Sequence, residues 1–242
     1  MMKTGYAVWS ASLFLGLVAV IGVLAYGLGG EGSTLLGPAL VRLAQDHDAS
    51  LTFDDGPSRD TARILDILKE KGVKATFFLC GAAVERYPEL ARRIVQEGHA
   101  VGNHTYDHPY LHLKSRGVIA DEIDRTQAII EKATGVRPVY FRPPHGVRWF
   151  TLWSLLRERN MTMVLWSSFP QEGASPARDI VARALARLRP GAIILLHDGR
   201  DALPEGRDLR PTTVEALPRI IDDARRAGYR FVPLPQAYAR RT

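Results

Sequence analysis

The sequence predicts an α/β protein built around a parallel β-sheet. Short apolar runs alternate with longer amphipathic stretches through residues 48–242. Glycines follow the ends of several amphipathic stretches, at Gly72, Gly98, Gly135 and Gly228, and glycine is the usual residue just beyond a helix C-terminus. Because strands that alternate with helices pair in parallel, either an open sheet or a closed barrel fits this pattern.

Seven strands are predicted from the apolar runs, at residues 49–53, 75–80, 99–102, 139–141, 163–166, 192–196 and 230–232. Six helices are predicted between them, at residues 61–71, 88–97, 118–133, 151–159, 177–188 and 213–227. Apolar residues three and four positions apart define each helix, as Ile64, Leu65 and Leu68 do in the first. The one cysteine, Cys80, lies in an apolar run, where we expect a buried thiol.

An apolar segment precedes the folded domain. Residues 4–30 contain no charged residue and no proline, and about 20 apolar residues suffice for a helix to cross a bilayer. We therefore predict a transmembrane anchor or signal segment at 1–30, a glycine-rich linker at 31–47, and one folded domain at 48–242. Lys3 before the segment and Glu31 after it orient the domain outside the cytoplasm, as a single-pass membrane protein, or as a secreted or periplasmic protein if the segment is cleaved.

The charge of the chain is basic and dispersed. Thirty-two Lys and Arg residues against 26 Asp and Glu give a net charge of +6. The basic residues are interspersed with acidic ones, which argues against a nucleic-acid partner. The charge favours solubility and approach to an anionic surface, and we expect the protein to be a monomer.

Polar side chains follow four of the predicted strands, at the ends where α/β folds place their sites. They are Asp54 and Asp55 after the first strand, His104 and His108 after the third, Arg142 after the fourth, and His197 after the sixth.

The two histidines after the third strand have the spacing of metal ligands. One helical turn would place His104 and His108 on one face, and a carboxylate from Asp54 or Asp55 would complete a set that leaves coordination positions open. Each pattern alone also has a structural explanation. Asp-Asp-Gly-Pro is a good turn and helix cap, and a single histidine such as His197 is commonly a hydrogen-bonded structural residue.

Three motifs together resemble a known family. TFDDGP at 52–57, HTYDHP at 104–109 and LLHD at 195–198 resemble, in the same order, the motifs of the polysaccharide deacetylases of the NodB-homology type, carbohydrate esterase family 4. The resemblance extends over residues 49–234. It implies a distorted (β/α) barrel of about seven parallel strands, and hydrolysis of N-acetyl groups on a polysaccharide that contains N-acetylglucosamine, such as peptidoglycan, a chitin-like polymer or poly-N-acetylglucosamine.

The resemblance also implies roles for the residues at the strand ends. Asp54 would be the general base and His197 the general acid. Asp55, His104 and His108 would bind a divalent metal, most commonly Zn²⁺, with Co²⁺ or Ni²⁺ as alternatives. An activated water, a stabilised oxyanion and a protonated amine are what acetamide hydrolysis requires, and this set would provide them.

Further roles follow from the same resemblance. Arg142 would hold the base, the backbone N–H of His145 would contribute to the oxyanion hole, and Leu196 with Trp166 would line the pocket for the acetyl methyl group.

The fourth motif of the family departs most from the expected pattern. The family has an aspartate followed by a tryptophan where this chain has Glu172 and Gly173, and we expect Glu172 to brace Arg142. Two alternatives accompany the deacetylase prediction. One is an O-acetyl esterase acting on xylan-type sugars, because the same groups can attack an ester. The other is a catalytically impaired carbohydrate-binding protein, because of the altered fourth motif.

Overall fold

The structure is a computed structural model that describes residues 36–44, 47–173, 175–200 and 210–234. The fold described below begins at Ala39. The transmembrane or signal segment predicted at 1–30 lies outside the described residues, as do residues 31–35 and 45–46 of the predicted linker. Over the ranges that are described, no helix has both the length and the apolar character needed to cross a membrane.

Strands and helices alternate as the sequence predicts. The strands are β1 (Asp48–Asp54), β2 (Thr76–Leu79), β3 (Ala100–Asn103), β4 (Tyr140–Phe141), β5 (Thr162–Met163), β6 (Ile193–His197) and β7 (Arg230–Phe231). The helices are α1 (Arg59–Glu70), α2 (Gly81–Arg86), α3 (Pro88–Gln96), α4 (Arg116–Thr134), α5 (Phe150–Glu158), α6 (Ala177–Ala186) and α7 (Pro211–Arg226), with short 3₁₀ turns at Leu111–Leu113 and Pro144–Gly146. Helix α2 was not predicted, because six residues are too few to show a helical period.

The strands pair in parallel in the order β5-β4-β3-β2-β1-β6, and β7 pairs with the start of β1. Isolated bridges link Ser168 with Ile194 and Leu40 with Val164, so the sheet curls and residues beyond β5 reach β6. The prediction of seven parallel strands in a curled α/β fold is confirmed. The backbone N–H of Leu40 donates to the carbonyl of Met163 at 2.8 Å, so this part of the predicted linker is bonded to the sheet.

The alternation of side chains along the strands positions the functional groups. Successive residues of a strand face opposite sides of the sheet. Phe53 of β1 and Leu196 of β6 face the helices and are fully buried in the main hydrophobic core. The next residue of each strand, Asp54 and His197, faces the other way. These two residues are register partners on β1 and β6, so the pairing of the strands brings a carboxylate and an imidazole together at one end of the sheet.

Candidate active site

One cavity, with a volume of about 260 Å³, opens at the C-terminal ends of the strands. Seven of the predicted site residues line it: Asp54, Asp55, His104, His108, His145, Trp166 and His197. The cavity is also lined by Phe169, Leu195 and Arg210. The strand-end motifs, which are up to 143 positions apart in the chain (from 54 to 197), therefore meet at a single site.

Asp55, His104 and His108 form a compact set of potential metal ligands. One ligand atom from each lies within 4.8 Å of the others. The Nε2 atoms of His104 and His108 are each 3.4 Å from Oδ1 of Asp55. Burial acts to raise the pKa of Asp55, but the neighbouring histidines outweigh it and hold that pKa below its usual range. A charged carboxylate is thus available beside two imidazoles.

The hydrogen bonding of His104 shows that these residues fit a cation. Its Nδ1 lies 2.7 Å from the carbonyl oxygen of Arg142, which can only accept, so Nδ1 carries the proton. In the neutral ring, Nε2 then presents a lone pair to Asp55, and two acceptors face each other across 3.4 Å. A cation between them would satisfy both, and two imidazoles with one carboxylate is a donor set that suits zinc with open positions.

Asp54 is held by a buried arginine. Nη1 of Arg142 donates to Oδ1 of Asp54 at 2.6 Å and to the hydroxyl of Thr52 at 2.9 Å, and Nη2 donates to the carbonyl of Leu165 at 2.9 Å. The Arg142 side chain is fully buried, and its guanidinium also lies 4.0 Å from the ring of Phe78. The orientation of Asp54 is therefore fixed on one oxygen, and its other oxygen, Oδ2, lies on the side of His104.

The backbone of the site is locally strained. Asp55, Thr105, His108, His145 and Gln171 have positive φ angles between 53° and 74°, in the left-handed region that few residues other than glycine adopt, although asparagine, aspartate and histidine occur there more often than the rest. Such residues persist where the surrounding structure enforces them, and they are commonly found at functional sites.

The structure places Glu172 against His197, and this corrects the prediction that Glu172 braces Arg142. Oε2 of Glu172 is bonded to Nδ1 of His197. Oε1 accepts from the backbone N–H of His197 at 3.1 Å and from the hydroxyl of Thr213. The reason is positional: β6 carries His197 to the loop after β5, whereas the two terminal nitrogens of Arg142 are bonded to Asp54, Thr52 and Leu165.

Glu172 also sets the charge of His197. Burial acts to lower the pKa of the imidazole, but the carboxylate of Glu172, with smaller contributions from Asp55 and Asp54, outweighs it and raises the pKa to about 9. At neutral pH the ring is therefore protonated and can donate from Nε2.

Leu196 does not line the cavity, which corrects a second prediction. It is fully buried and packs in the helix-facing core, because it alternates with His197, which faces the site. Leu195, two residues before His197 and on the same face, lines the cavity instead. Because residues two positions apart in a strand face the same side of the sheet, the position of His197 on β6 already points to Leu195.

His145 and Trp166 lie where the sequence places them, at the rim. The ring of His145 stacks on Tyr110 with centroids 3.7 Å apart and contacts His108 edge-on at 4.4 Å. Trp166 packs so closely on Gly146 that a Cβ there would lie 2.4 Å from the indole. The side chains of His145 and Trp166 both line the cavity.

Arg210 is a site residue that sequence analysis missed. It lines the cavity, and its Nη2 lies 3.7 Å from Oδ2 of Asp55. Nothing in its sequence context distinguishes it from the other arginines, because it belongs to no strand-end motif.

Comparison with known proteins agrees with this architecture. A sequence model of the polysaccharide deacetylase family matches residues 43–164. The chain is 37% identical over 200 residues to a peptidoglycan-N-acetylglucosamine deacetylase of Bacillus cereus, covering 79% of this chain and 68% of that protein. It is 39% identical over 198 residues to a chitooligosaccharide deacetylase of Bradyrhizobium, covering 78% and 89%.

A solved structure shows the same fold. The crystal structure of a peptidoglycan N-acetylglucosamine deacetylase in complex with a substituted N-hydroxybenzamide superposes with a TM-score of 0.76 at 35% identity, covering 81% of this chain and 90% of that one. The motifs at the strand ends, the curled parallel sheet and these similarities lead to one conclusion: the chain belongs to the polysaccharide deacetylase family.

Proposed function

We propose that this polysaccharide deacetylase removes N-acetyl groups from N-acetylglucosamine units of an extracytoplasmic polysaccharide by metal-assisted hydrolysis. The observation that carries the proposal is the single cavity in which Asp54, His197 and the candidate metal ligands meet. The relatives named above, which act on peptidoglycan N-acetylglucosamine or on chitooligosaccharides, support the choice of substrate.

Asp55, His104 and His108 would hold a divalent cation. When bound, such a cation lowers the pKa of a water molecule towards about 7 and polarises a carbonyl oxygen. We propose Zn²⁺ because imidazole and carboxylate ligands suit it, and the same donors accept Co²⁺ or Ni²⁺.

Asp54 serves as the general base in this proposal. Arg142 holds Oδ1, so Oδ2 is the atom that receives the proton of the attacking water. The oxygen of that water forms a bond with the acetyl carbon. Because Asp54 is already held by a buried arginine, it loses little conformational entropy at this step. Proton transfer by a positioned side chain accelerates a reaction by a factor of about 10² to 10⁴.

His197 serves as the general acid. Glu172 holds Nδ1, so Nε2 is the atom that gives its proton to the amide nitrogen as the carbon–nitrogen bond breaks. Acetate and a free amine are the products. The raised pKa of His197, about 9, keeps the proton on the ring until the leaving nitrogen becomes basic enough to take it.

The rim completes the site. The backbone N–H of His145 is proposed to donate to the developing oxyanion, a role that does not depend on the side chain. Trp166 and Leu195, which line the cavity, are proposed to enclose the acetyl methyl group. Leu195 thus takes the role that the sequence analysis gave to Leu196.

The location of the substrate bears on the location of the enzyme. Peptidoglycan and chitin-like polymers lie outside the cytoplasmic membrane, and we propose that the catalytic domain works there. Accessibility of the domain to protease added to cells that express the full chain, after any outer membrane has been permeabilised, tests this location, and protection until the cytoplasmic membrane is lysed would contradict it.

Acetate release tests the proposed function. The protein is freed of metal with a chelator, then assayed with and without added Zn²⁺, Co²⁺ or Ni²⁺ on chitooligosaccharides, peptidoglycan and O-acetylated xylooligosaccharides. We expect metal-dependent release from the N-acetylated substrates. Equal release without metal would contradict the mechanism, and release from the O-acetylated sugars alone would contradict the substrate. Tight metal binding with no release from any of them would indicate a carbohydrate-binding protein.

A further inference from the structure

A second cavity lies beside the catalytic acid, where the family motif would place a tryptophan. Gly173 occupies that position, and a Cβ built on it would meet no atom within 4 Å. The space that results has a volume of about 320 Å³ and is lined by Phe169, Gln171, Glu172, Gly173, His197 and Arg210. Because one water takes about 30 Å³ of liquid volume, this side cavity has room for a substituent of several heavy atoms.

The side cavity is continuous with the site already described. Phe169, His197 and Arg210 line both. A sugar whose acetamido nitrogen approaches Nε2 of His197 would therefore direct a neighbouring substituent into the side cavity. The substituent that enters the side cavity would lie close to the scissile carbon–nitrogen bond, either on the same sugar or on the adjoining one.

Three charged side chains line the side cavity, and two of them pair with each other. The carboxylate of Glu172 is paired with His197, and its other oxygen accepts from Thr213. Gln171 and Phe169 are neutral. Arg210 is the remaining charged residue among the described residues that line this cavity, so its guanidinium is the group there that can bind an anion.

The terminal N–H groups of the Arg210 guanidinium are available to donate hydrogen bonds to a ligand. Its Nε donates to the carbonyl of Gly199 at 2.7 Å, which fixes the base of the guanidinium. Its Nη2 is 3.7 Å from Oδ2 of Asp55, beyond the length of a normal hydrogen bond. The backbone N–H of Arg210, which donates to Oδ2 of Asp60 at 2.7 Å, holds the residue in place.

We propose that the side cavity is a subsite for a carboxylate on the substrate, recognised by Arg210. Arginine binds carboxylates through paired, charge-assisted hydrogen bonds. The inference rests on the proposed function and narrows its substrate to glycans in which an N-acetylated sugar carries, or adjoins a sugar that carries, an acidic substituent. The lactyl carboxylate of a peptidoglycan glycan whose stem peptide has been removed has this chemistry, whereas a chitin oligomer lacks it.

Paired substrates test the proposal. Acetate release is measured on peptidoglycan glycan tetramers with free lactyl carboxylates, on the same tetramers with those carboxylates converted to methyl amides, and on neutral chitotetraose. The proteins are the wild type, Arg210→Gln, Arg210→Lys, and Arg178→Gln as a control. Arg178 is an exposed α6 arginine whose side chain is 82% accessible, so its substitution makes the same change in net charge away from the cavity.

The decisive quantity is the ratio of kcat/KM for acid over amide substrate. A ratio compares two substrates on one preparation, so partial unfolding or incomplete metal loading of a variant cancels. We expect a wild-type ratio of roughly ten or more, the factor that corresponds to one hydrogen bond to a charged group. The ratio should fall to near one in Arg210→Gln, stay well above one in Arg210→Lys and be unchanged in Arg178→Gln.

Two results would overturn the proposal while leaving the proposed function intact. One is a wild-type ratio near one with good turnover of chitotetraose, and the other is an equal preference in the wild type and Arg210→Gln. Absence of acetate release from all three substrates would overturn both. Mass spectrometry of the products identifies whether the sugar that loses its acetyl group carries the carboxylate itself or adjoins the one that does.

Discussion

The pairing of Glu172 with His197 makes a specific prediction about the pH dependence of catalysis. The substitution Glu172→Gln keeps the size of the side chain but removes its charge and replaces one accepting oxygen with a donating NH2 group. The carboxylate is the strongest of the influences that raise the pKa of His197, and burial is the main influence that lowers it. With the carboxylate gone, burial acts against weaker opposition, so the pKa should fall from about 9 to no more than the ordinary value of histidine, about 6.5.

The magnitude follows from the protonated fraction of His197. An acid with a pKa of about 9 is about nine-tenths protonated at about pH 8, whereas one with a pKa of about 6.5 is about 3% protonated. Since the general acid must carry its proton, kcat/KM at about pH 8 should fall roughly thirtyfold in the variant, with little loss at about pH 6 from this cause. In both proteins activity declines as pH rises through the folded-state pKa of His197, and the decline begins earlier in the variant.

The assay is acetate release from a soluble N-acetylated oligosaccharide between about pH 5 and pH 10 at saturating metal, accompanied by an NMR titration of His197. Glu172→Asp is the matched control, because it retains the charge and should keep the alkaline decline near that of the wild type. An alkaline decline in Glu172→Gln that coincides with the wild-type profile would refute the assigned role of this carboxylate.

Three further predictions concern other contacts of the site. Arg142→Leu should lower the free energy of unfolding by about 3–5 kcal/mol in urea titrations, because it removes the buried ion-pair partner of Oδ1 of Asp54; an effect below about 1 kcal/mol would contradict this. His104→Ala and His108→Ala should each weaken zinc binding at least tenfold by calorimetry, and unchanged affinity would exclude them as ligands. Gly56→Ala should destabilise the protein by about 1–3 kcal/mol, since its Cβ would lie 2.1 Å from a buried carboxylate oxygen; an unchanged thermal midpoint would be inconsistent with that packing.

Much of the fold could be predicted from the sequence because the information is local. Apolar runs and amphipathic stretches each report on one strand or helix, and the strand-end motifs place polar groups at one edge of the sheet. Asp54, Asp55, His104, His108 and His197 therefore meet as expected. Helix α2 was missed because its six residues, Gly81–Arg86, are too short to carry a period.

Contacts between segments that the motifs do not connect were harder to predict. The partner of Glu172 depends on how the loop after β5 lies against the end of β6, and no local pattern specifies that. That Leu195 and not Leu196 lines the cavity could have been predicted. Side chains along β6 alternate between the two faces of the sheet, and His197 shows which face borders the site. Arg210 reaches the cavity from the start of α7, and only the packed structure shows this proximity.

In the proposed mechanism Asp54 removes a proton from the attacking water, while Asp55 binds metal. The most direct measurement compares acetate release and metal content in the wild type and Asp54→Asn. We predict that the variant binds one equivalent of metal as the wild type does, and that its kcat falls by about 10² to 10⁴. A variant that retains both its metal and the wild-type kcat would contradict the account.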